Sequence, residues 1–194
     1  MAADALRYRY RVSASDVLLW VNDAWLAFAQ ENGAAGLVRD SVLQRSLWDF
    51  VAGEALQKLY MEIHTRVRSS GTPAVLPFRC DSASLQRHMR LTITRENAGQ
   101  LAYDCILVRA VPQRRLDVLG TTRPRSTKYL TICSCCKRAL LEPRGWLDLE
   151  EVCLRLRVFE AKEVPQLRHT VCQACVKVLA GTPDNGNASH CATP

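Results

Sequence analysis

The chain has 194 residues, of which 48% are hydrophobic, and this composition excludes a wholly disordered protein. Its formal net charge of +7 is compatible with acidic partners of several kinds, including nucleic acid and acidic proteins. No apolar run approaches the roughly 18 residues of a membrane-spanning helix, and the N-terminus lacks the apolar segment of a signal peptide. We therefore expect a cytoplasmic protein without membrane association, in which paired cysteines indicate metal or redox chemistry more often than disulfides.

The first thirty residues predict two strands and a short helix. Residues 7–12 alternate Arg with Tyr or Val, and residues 16–22 form an apolar run, and both patterns are typical of strands. Asn22 is a favourable helix N-cap, and residues 23–33 suit a short helix that Gly33 ends.

The middle of the chain predicts one long helix followed by three strands. Residues 54–68 carry an apolar stripe at helical spacing, and Gly71 and Pro73 end it. His64 lies beside this stripe, so we expect a boundary histidine rather than a haem ligand. The three strands are expected at residues 74–80, 88–95 and 101–111.

Two strands, several short helices, one longer helix and a three-stranded meander follow the element order of the PAS fold. The strings WVNDAWLAFAQENG, SLWDFVAGEALQKLY and VLPFRCDSASLQRHMRLTI resemble small bacterial PAS-type sensor proteins, and the resemblance covers residues 8–111. It implies a PAS-like sensor domain over residues 1–112, with an antiparallel sheet and flanking helices. The fold class expected for the whole chain is α+β, with a small zinc-bound module after this domain.

PAS cavities can hold haem, flavin or small metabolites. The Asn-Cys-Arg-Phe string of light-sensing flavin PAS domains does not occur in this sequence. Four large aromatic residues are expected to fill or line the interior, namely Trp20, Trp25, Trp48 and Phe50. We therefore expect neither haem nor flavin.

The composition changes after residue 112. Residues 113–128 are rich in Arg and are expected to form a basic, solvated linker. Residues 129–180 form a second unit, and residues 181–194 are expected to be a frayed polar tail.

Two C-x₂-C pairs stand in the second unit. The four cysteines are Cys133, Cys136, Cys172 and Cys175. A C-x₂-C turn lets two sulfurs face one centre, and two such turns supply a closed tetrahedral site for structural Zn²⁺. The 35 residues between the pairs exceed the usual interval of about 15–20, so this interval must contain structure of its own. Residues 145–156 predict a helix there that buries Trp146, Leu149 and Val152.

The strings TICSCCKRALLEPRGWLDLEE and LRHTVCQACVKVL resemble the C-terminal cysteine module that follows PAS domains in many bacterial signalling proteins. The resemblance implies the same four cysteines as ligands and places His169 at the conserved histidine of that pattern. Arg168 and Thr170 depart from the pattern, and the extra Cys135 leaves the ligand choice in the first pair open. We expect His169 to hydrogen-bond a ligand sulfur rather than coordinate the metal.

The remaining cysteines are expected to play no part in metal binding. Cys80 and Cys105 fall in predicted strands and Cys153 in the predicted helix, so we expect all three in the core. Cys191 in the tail is expected to be a free thiol.

The sequence contains no phosphate-binding loop, nucleophile elbow or kinase motif. We therefore expect a non-enzymatic signalling protein that acts through a protein partner. The alternatives are a nucleic-acid-binding regulator that uses the zinc module and the basic linker, which is less favoured, and a thiol redox switch. A homodimer is also open, because Tyr8, Tyr10 and Val12 of the first strand could meet a second copy or pack on the domain's own core.

Overall fold

The computed structural model describes residues 7–34, 36–120 and 122–181. The chain divides into two compact units. The first unit comprises Met1–Pro77 and Met89–Val108, and the second comprises Phe78–His88 and Arg109–Pro194. This division differs from the expected boundary at residue 112, because residues 78–88 cluster with the later part of the chain.

A five-stranded sheet and three α-helices form the part of the chain up to residue 112. The strands are β1 (Arg7–Val12), β2 (Leu18–Val21), β3 (Ala74–Arg79), β4 (Leu85–Arg95) and β5 (Leu101–Pro112), in the order β2-β1-β5-β4-β3. The helices are α1 (Asp23–Glu31), α2 (Arg39–Val42) and α3 (Glu54–Ser70). Strand β1 pairs antiparallel with both β2 and β5. The predicted α+β fold class is confirmed.

Two residues named from the sequence set the limits of helices in this part. The side chain of Asn22 accepts a hydrogen bond from the backbone N–H of Trp25 at 3.0 Å, which satisfies a donor at the start of α1. Gly71 ends α3 with φ at 73°, a left-handed conformation that glycine adopts without steric cost.

The apolar side chains of β1 pack within their own unit. Tyr8 contacts the ring of Phe28 at 4.6 Å between centroids, and Tyr10 stacks on Tyr103 at 4.2 Å. Val12 is fully buried. Because β1 lies between β2 and β5, these residues belong to a central strand, and they pack on the domain's own core, which was one of the two alternatives. A dimer through these tyrosines would have to displace this packing.

The four large aromatic residues do not share one environment. Trp20 is 39% exposed and lies beneath the guanidinium of Arg11, so it does not fill the interior as expected. Trp25, Trp48 and Phe50 are half-buried. Leu18, two residues before Trp20, is buried, and simple alternation would place both side chains on the same face. The bulge in the β1–β2 pairing falls between them, which accounts for the exposure of Trp20.

The second unit contains a four-stranded sheet. Its elements are β6 (Arg125–Cys133), β7 (Ala139–Leu141), β8 (Gly145–Leu147), α4 (Leu149–Arg155), β9 (Val164–Thr170) and α5 (Gln173–Ala180), and its strand order is β8-β7-β6-β9. Strand β6 is antiparallel to β7 and parallel to β9. Buried apolar side chains from these elements form a core of Leu116, Val118, Leu130, Ile132, Ala139, Leu149, Val152, Cys153, Val158 and Val164.

The helix predicted over residues 145–156 is shorter than expected. Residues 145–147 form β8 instead, and Trp146 is only half-buried. The helix begins at Leu149 because the carboxylate of Asp148 accepts a hydrogen bond from the backbone N–H of Glu150 at 3.0 Å and caps it.

The segment predicted as a solvated linker is part of the second unit. Leu116 and Val118 are buried in its core, and β6 already begins at Arg125. Burial of these two apolar side chains is favourable, so the segment packs into the second unit although it is rich in arginine. Of the predicted tail, only Gly181 is described, and Cys191 lies outside the described residues.

Candidate metal centre

The two cysteine pairs meet because β6 and β9 are parallel and end together. The register places Cys133 opposite Thr170, and the backbone N–H of Ser134 donates to the Thr170 carbonyl at 2.7 Å. The turn after β6 therefore lies beside the residues that follow β9. Parallel strands need a crossover of a dozen or more residues, which explains the long interval between the pairs. The β7–β8 hairpin and α4 occupy that interval.

The first pair sits in a tight turn. The backbone N–H of Lys137 donates to the Cys133 carbonyl at 3.0 Å, and the N–H of Cys133 donates to the Arg138 carbonyl at 2.8 Å. Lys137 has φ at 61°, a left-handed conformation that reverses the chain directly after Cys136. This turn brings Cys133 and Cys136 to the same site.

The second pair opens α5. Cys172 is the N-cap residue of this helix, and Cys175 lies in its first turn. The partial positive charge at a helix N-terminus favours thiolates over thiols. The backbone N–H of Cys172 also donates to the sulfur of Cys133 at 3.4 Å, which links the two pairs directly.

The four predicted ligand sulfurs lie together. The Sγ atoms of Cys133, Cys136, Cys172 and Cys175 are all within 4.8 Å of one another. The sulfurs of Cys136 and Cys172 are 3.8 Å apart, which matches the edge of about 3.8 Å in a tetrahedron with Zn–S bonds of about 2.3 Å. With no separation above 4.8 Å, the four sulfurs surround one centre.

The chemistry of this cluster suits a soft divalent cation. Hydrogen bonds from Cys135 and Cys136 lower the pKa of Cys133, whereas hydrogen bonding to Cys133 raises the pKa of Cys172 and Cys175. One thiolate is therefore stabilised at the expense of its neighbours. A bound Zn²⁺ would remove this competition, because it stabilises every coordinating thiolate. Four sulfur donors in a buried, closed arrangement are the ligand set of structural zinc sites.

The extra cysteine of the first turn lies outside the group of four. Cys135 is buried, and its carbonyl accepts a hydrogen bond from the backbone N–H of Arg79 at 2.7 Å. Hydrogen bonding to Cys133 raises the pKa of the Cys135 thiol. The geometry therefore favours Cys136 over Cys135 as the second sulfur of the first pair.

His169 does not take the expected position. Its side chain is exposed on β9, and no hydrogen bond joins it to a cysteine sulfur among the described residues. The partial desolvation of the imidazole and the nearby charge of Lys137 lower its pKa. The expectation that His169 supports a ligand sulfur is therefore wrong in this structure.

The other cysteines are separate from the cluster. Cys105 and Cys153 are buried as expected, and burial raises the pKa of Cys153 to about 11. Cys80 follows β3 and is only half-buried, so it is not the core residue that was expected. None of the eight cysteines within the described residues forms a disulfide.

Sequence reasoning missed a buried polar network in the first unit. His64 is 1% exposed, so the expected boundary histidine is wrong. Its Nδ1 lies 2.8 Å from the Asp16 carboxylate, and its Nε2 hydrogen-bonds the hydroxyl of Tyr103. Arg68 also binds Asp16, at 2.6 Å. No local signal reveals this network, because Asp16 and Tyr103 are 48 and 39 residues from His64.

The protonation states in this network follow from its surroundings. Burial raises the pKa of Tyr103 well above its ordinary value, so its hydroxyl stays protonated in the hydrogen bond with Nε2 of His64. Burial acts to raise the pKa of Asp16, but hydrogen bonds from His64 and Arg68 outweigh it and hold that pKa below its usual value. Asp16 is therefore an ionised acceptor for Nδ1–H of His64.

No protein-family profile matches the sequence, and comparison with curated proteins finds no similar one. Among solved structures, the chain is similar to the PAS domain of BvgS from Bordetella pertussis, with 18% identity and a TM-score of 0.37 over 53% of this chain and 72% of that one. It is similar to a domain of an HTR-like protein from Haloarcula marismortui, with 14% identity and a TM-score of 0.36 over 53% of this chain and 98% of that one. It is also similar to the Aer2 receptor of Vibrio cholerae, described as a dual PAS-heme oxygen sensor. The identity is 10% and the TM-score is 0.35 over 55% of this chain and 99% of that one. These similarities are too distant to assign the chain to a family.

Proposed function

We propose that this chain is a non-enzymatic cytoplasmic signalling protein, in which a PAS-like sensor unit is coupled to a module held together by structural zinc. The observation that carries the proposal is the convergence of four cysteine sulfurs within 4.8 Å. Because protein ligands fill every position of such a tetrahedral site, the metal has no open position for a substrate. The zinc then acts as a structural element.

The output is a contact with another protein. Several large apolar side chains of the second unit are exposed, namely Tyr129, Leu154, Leu156 and Val176. Contact with a partner would remove these apolar side chains from water, which is favourable. Within the described residues no helix combines the length and the apolar character needed to cross a bilayer.

The nucleic-acid alternative has less support, because the arginines near residue 120 are engaged within their own unit. Arg115 and Arg123 both pair with the carboxylate of Asp117. Arg125 donates to three backbone carbonyls, and the guanidinium of Arg114 lies 3.8 Å from the ring centroid of Phe159. Phosphate binding would have to compete with these contacts.

Metal analysis combined with native mass spectrometry tests the proposal. We expect about one zinc per chain in the purified protein and a loss of that zinc in the Cys136→Ser variant. The matched control is Cys80→Ser, which changes a half-buried cysteine outside the cluster and should keep the metal. Protein that is folded and free of metal, or a Cys136→Ser variant that retains zinc, would contradict the proposal.

A further inference from the structure

Strand β9 has one open edge. It is the last strand of its sheet, and within residues 7–34, 36–120 and 122–181 it pairs only with β6. The N–H of Val164 donates to the Pro124 carbonyl at 3.0 Å, and the Thr170 carbonyl accepts from Ser134 at 2.7 Å, so the even-numbered residues of β9 face β6. Since backbone groups alternate along a strand, those of Leu167 and His169 point away from the sheet.

Only the beginning of this edge is protected. Pro165 has no N–H, and its carbonyl accepts a hydrogen bond from Arg125 at 2.9 Å. The outward backbone groups of Leu167 and His169 have no partner among the described residues. Two donors and two acceptors are therefore free to pair with an added strand.

A comparable edge in the other sheet is covered. Along β2, the N–H of Leu18 donates to the Arg45 carbonyl and the Leu18 carbonyl accepts from Gln44, both at 2.9 Å. Proteins commonly cover or blunt such edges to prevent unwanted strand pairing. The chain covers the edge of β2 with its own backbone and leaves that of β9 open.

The surface beside the open edge is cationic and aromatic. The guanidinium of Arg168 lies 4.8 Å from the ring centroid of Tyr129, and this ring is 58% exposed. Arg168 forms no ion pair within the part of the chain that the structure describes. An incoming strand that carries a carboxylate would complement this charge.

A second copy of the chain fits this edge poorly. An antiparallel pairing that uses the outward groups of both Leu167 and His169 sets Leu167 of one copy opposite His169 of the other. This register places the two Arg168 side chains directly opposite each other. Like charges in that position destabilise a strand pair.

We propose that the β9 edge binds an extended acidic peptide of a partner protein by strand addition. Leu167 and His169 supply the backbone hydrogen bonds, and Arg168 beside Tyr129 takes a carboxylate of the peptide. The inference rests on the proposed function and specifies the kind of partner that the second unit recognises.

The test uses a capped octapeptide of alternating glutamate and valine and the full-length protein. At saturating peptide, hydrogen exchange of the Leu167 and His169 amides should slow at least tenfold, as measured by NMR. The same peptide N-methylated at every backbone amide keeps its charges, but it cannot donate to the Leu167 and His169 carbonyls and its methyl groups keep it from the strand edge. It should therefore not bind there or slow exchange of the two amides. A peptide with lysine in place of glutamate should bind at least tenfold more weakly.

Two variants test the charge. Arg168→Ala should weaken binding of the glutamate–valine peptide by about two- to fivefold, as expected for an exposed ion pair. Arg144→Ala removes an equal charge from the exposed β7–β8 turn and should leave binding unchanged.

Three results would overturn the inference: no protection of the two amides, equal binding of the N-methylated peptide, or protection that appears without peptide as the protein self-associates. The zinc content of the same sample tests the proposed function separately. If protein that holds one zinc fails to bind the peptide, the strand-addition proposal is wrong and the proposed function is not affected.

Discussion

The two units place polar groups in their interiors in opposite ways. In the first unit, His64, Asp16 and Tyr103 satisfy one another, so the buried polar atoms have their partners within the protein. In the second unit, four cysteines cluster around one centre, and the coupling among their thiols lowers the pKa of Cys133 while it raises the pKa of Cys172 and Cys175. The first unit therefore carries its own charge compensation, whereas the second obtains it from a metal ion under the proposed function.

Metal removal should produce the largest difference in stability between the two units. Treatment with a chelator should unfold residues 125–180 and leave the first unit folded, because structural zinc sites contribute about 10–16 kcal/mol in small zinc-dependent domains. Hydrogen exchange followed by mass spectrometry should show loss of protection from β6 through α5 and none in α3. Equal loss of protection in α3 would contradict the independence of the first unit, and re-addition of zinc is the control for reversibility.

Removal of the buried histidine should reverse this pattern. His64→Ala leaves the buried Tyr103 hydroxyl without its hydrogen-bond partner and opens a cavity, so it should lower the free energy of unfolding of the first unit by about 2–4 kcal/mol. Urea unfolding gives the change in stability, and metal analysis should show that zinc is retained. Glu62→Ala, at an exposed position on the same helix, is the control and should shift stability by less than about 0.5 kcal/mol.

Acid should act on the first unit through Asp16. Because the folded-state pKa of Asp16 is lowered, its stabilising contribution is present above the unfolded pKa of about 4 and is lost as the pH falls through the lower folded value. Urea unfolding of the first unit at pH 5 and pH 3 should therefore show a larger loss of stability for the native sequence than for Asp16→Asn. An equal loss in both proteins would assign the acid sensitivity to other groups.

The smallest expected effect lies at the start of α4. Asp148→Ala removes the N-cap of this helix and should cost about 1 kcal/mol in the second unit. Asp148→Asn retains a capping oxygen and should recover most of that loss. Unfolding of the zinc-loaded protein, followed by the fluorescence of nearby Trp146, measures both variants. No difference between alanine and asparagine would contradict the capping role.

The sequence predicted those features that depend on neighbouring residues. The N-cap at Asn22, the end of α3 at Gly71 and the four cysteines of the cluster were all identified by residue type and short spacing. Each of these signals acts over a few positions, so no knowledge of distant contacts was needed.

The features that were missed depend on distant contacts. A helical stripe placed His64 at a boundary, and only partners 39 and 48 residues away explain its burial. Strands β7 and β8 have three residues each, which is too short for an alternating pattern to stand out from a helix. The many arginines around Leu116 and Val118 led to the prediction of a solvated linker, although both side chains are buried.

The parallel pairing of β6 with β9 also sets the order of events when the protein is made. Thirty-five residues separate Cys136 from Cys172, and at about 5–20 residues per second the ribosome needs roughly 2–7 seconds to add them. During that time the chain presents only Cys133 and Cys136 of the four clustered cysteines. A metal bound to these two sulfurs would keep open coordination positions. The pairing of β6 with β9 also forms late relative to β6 itself, because contacts between residues far apart in sequence form slowly. The sheet and the cysteine cluster are therefore completed together, once β9 and the start of α5 have left the ribosome.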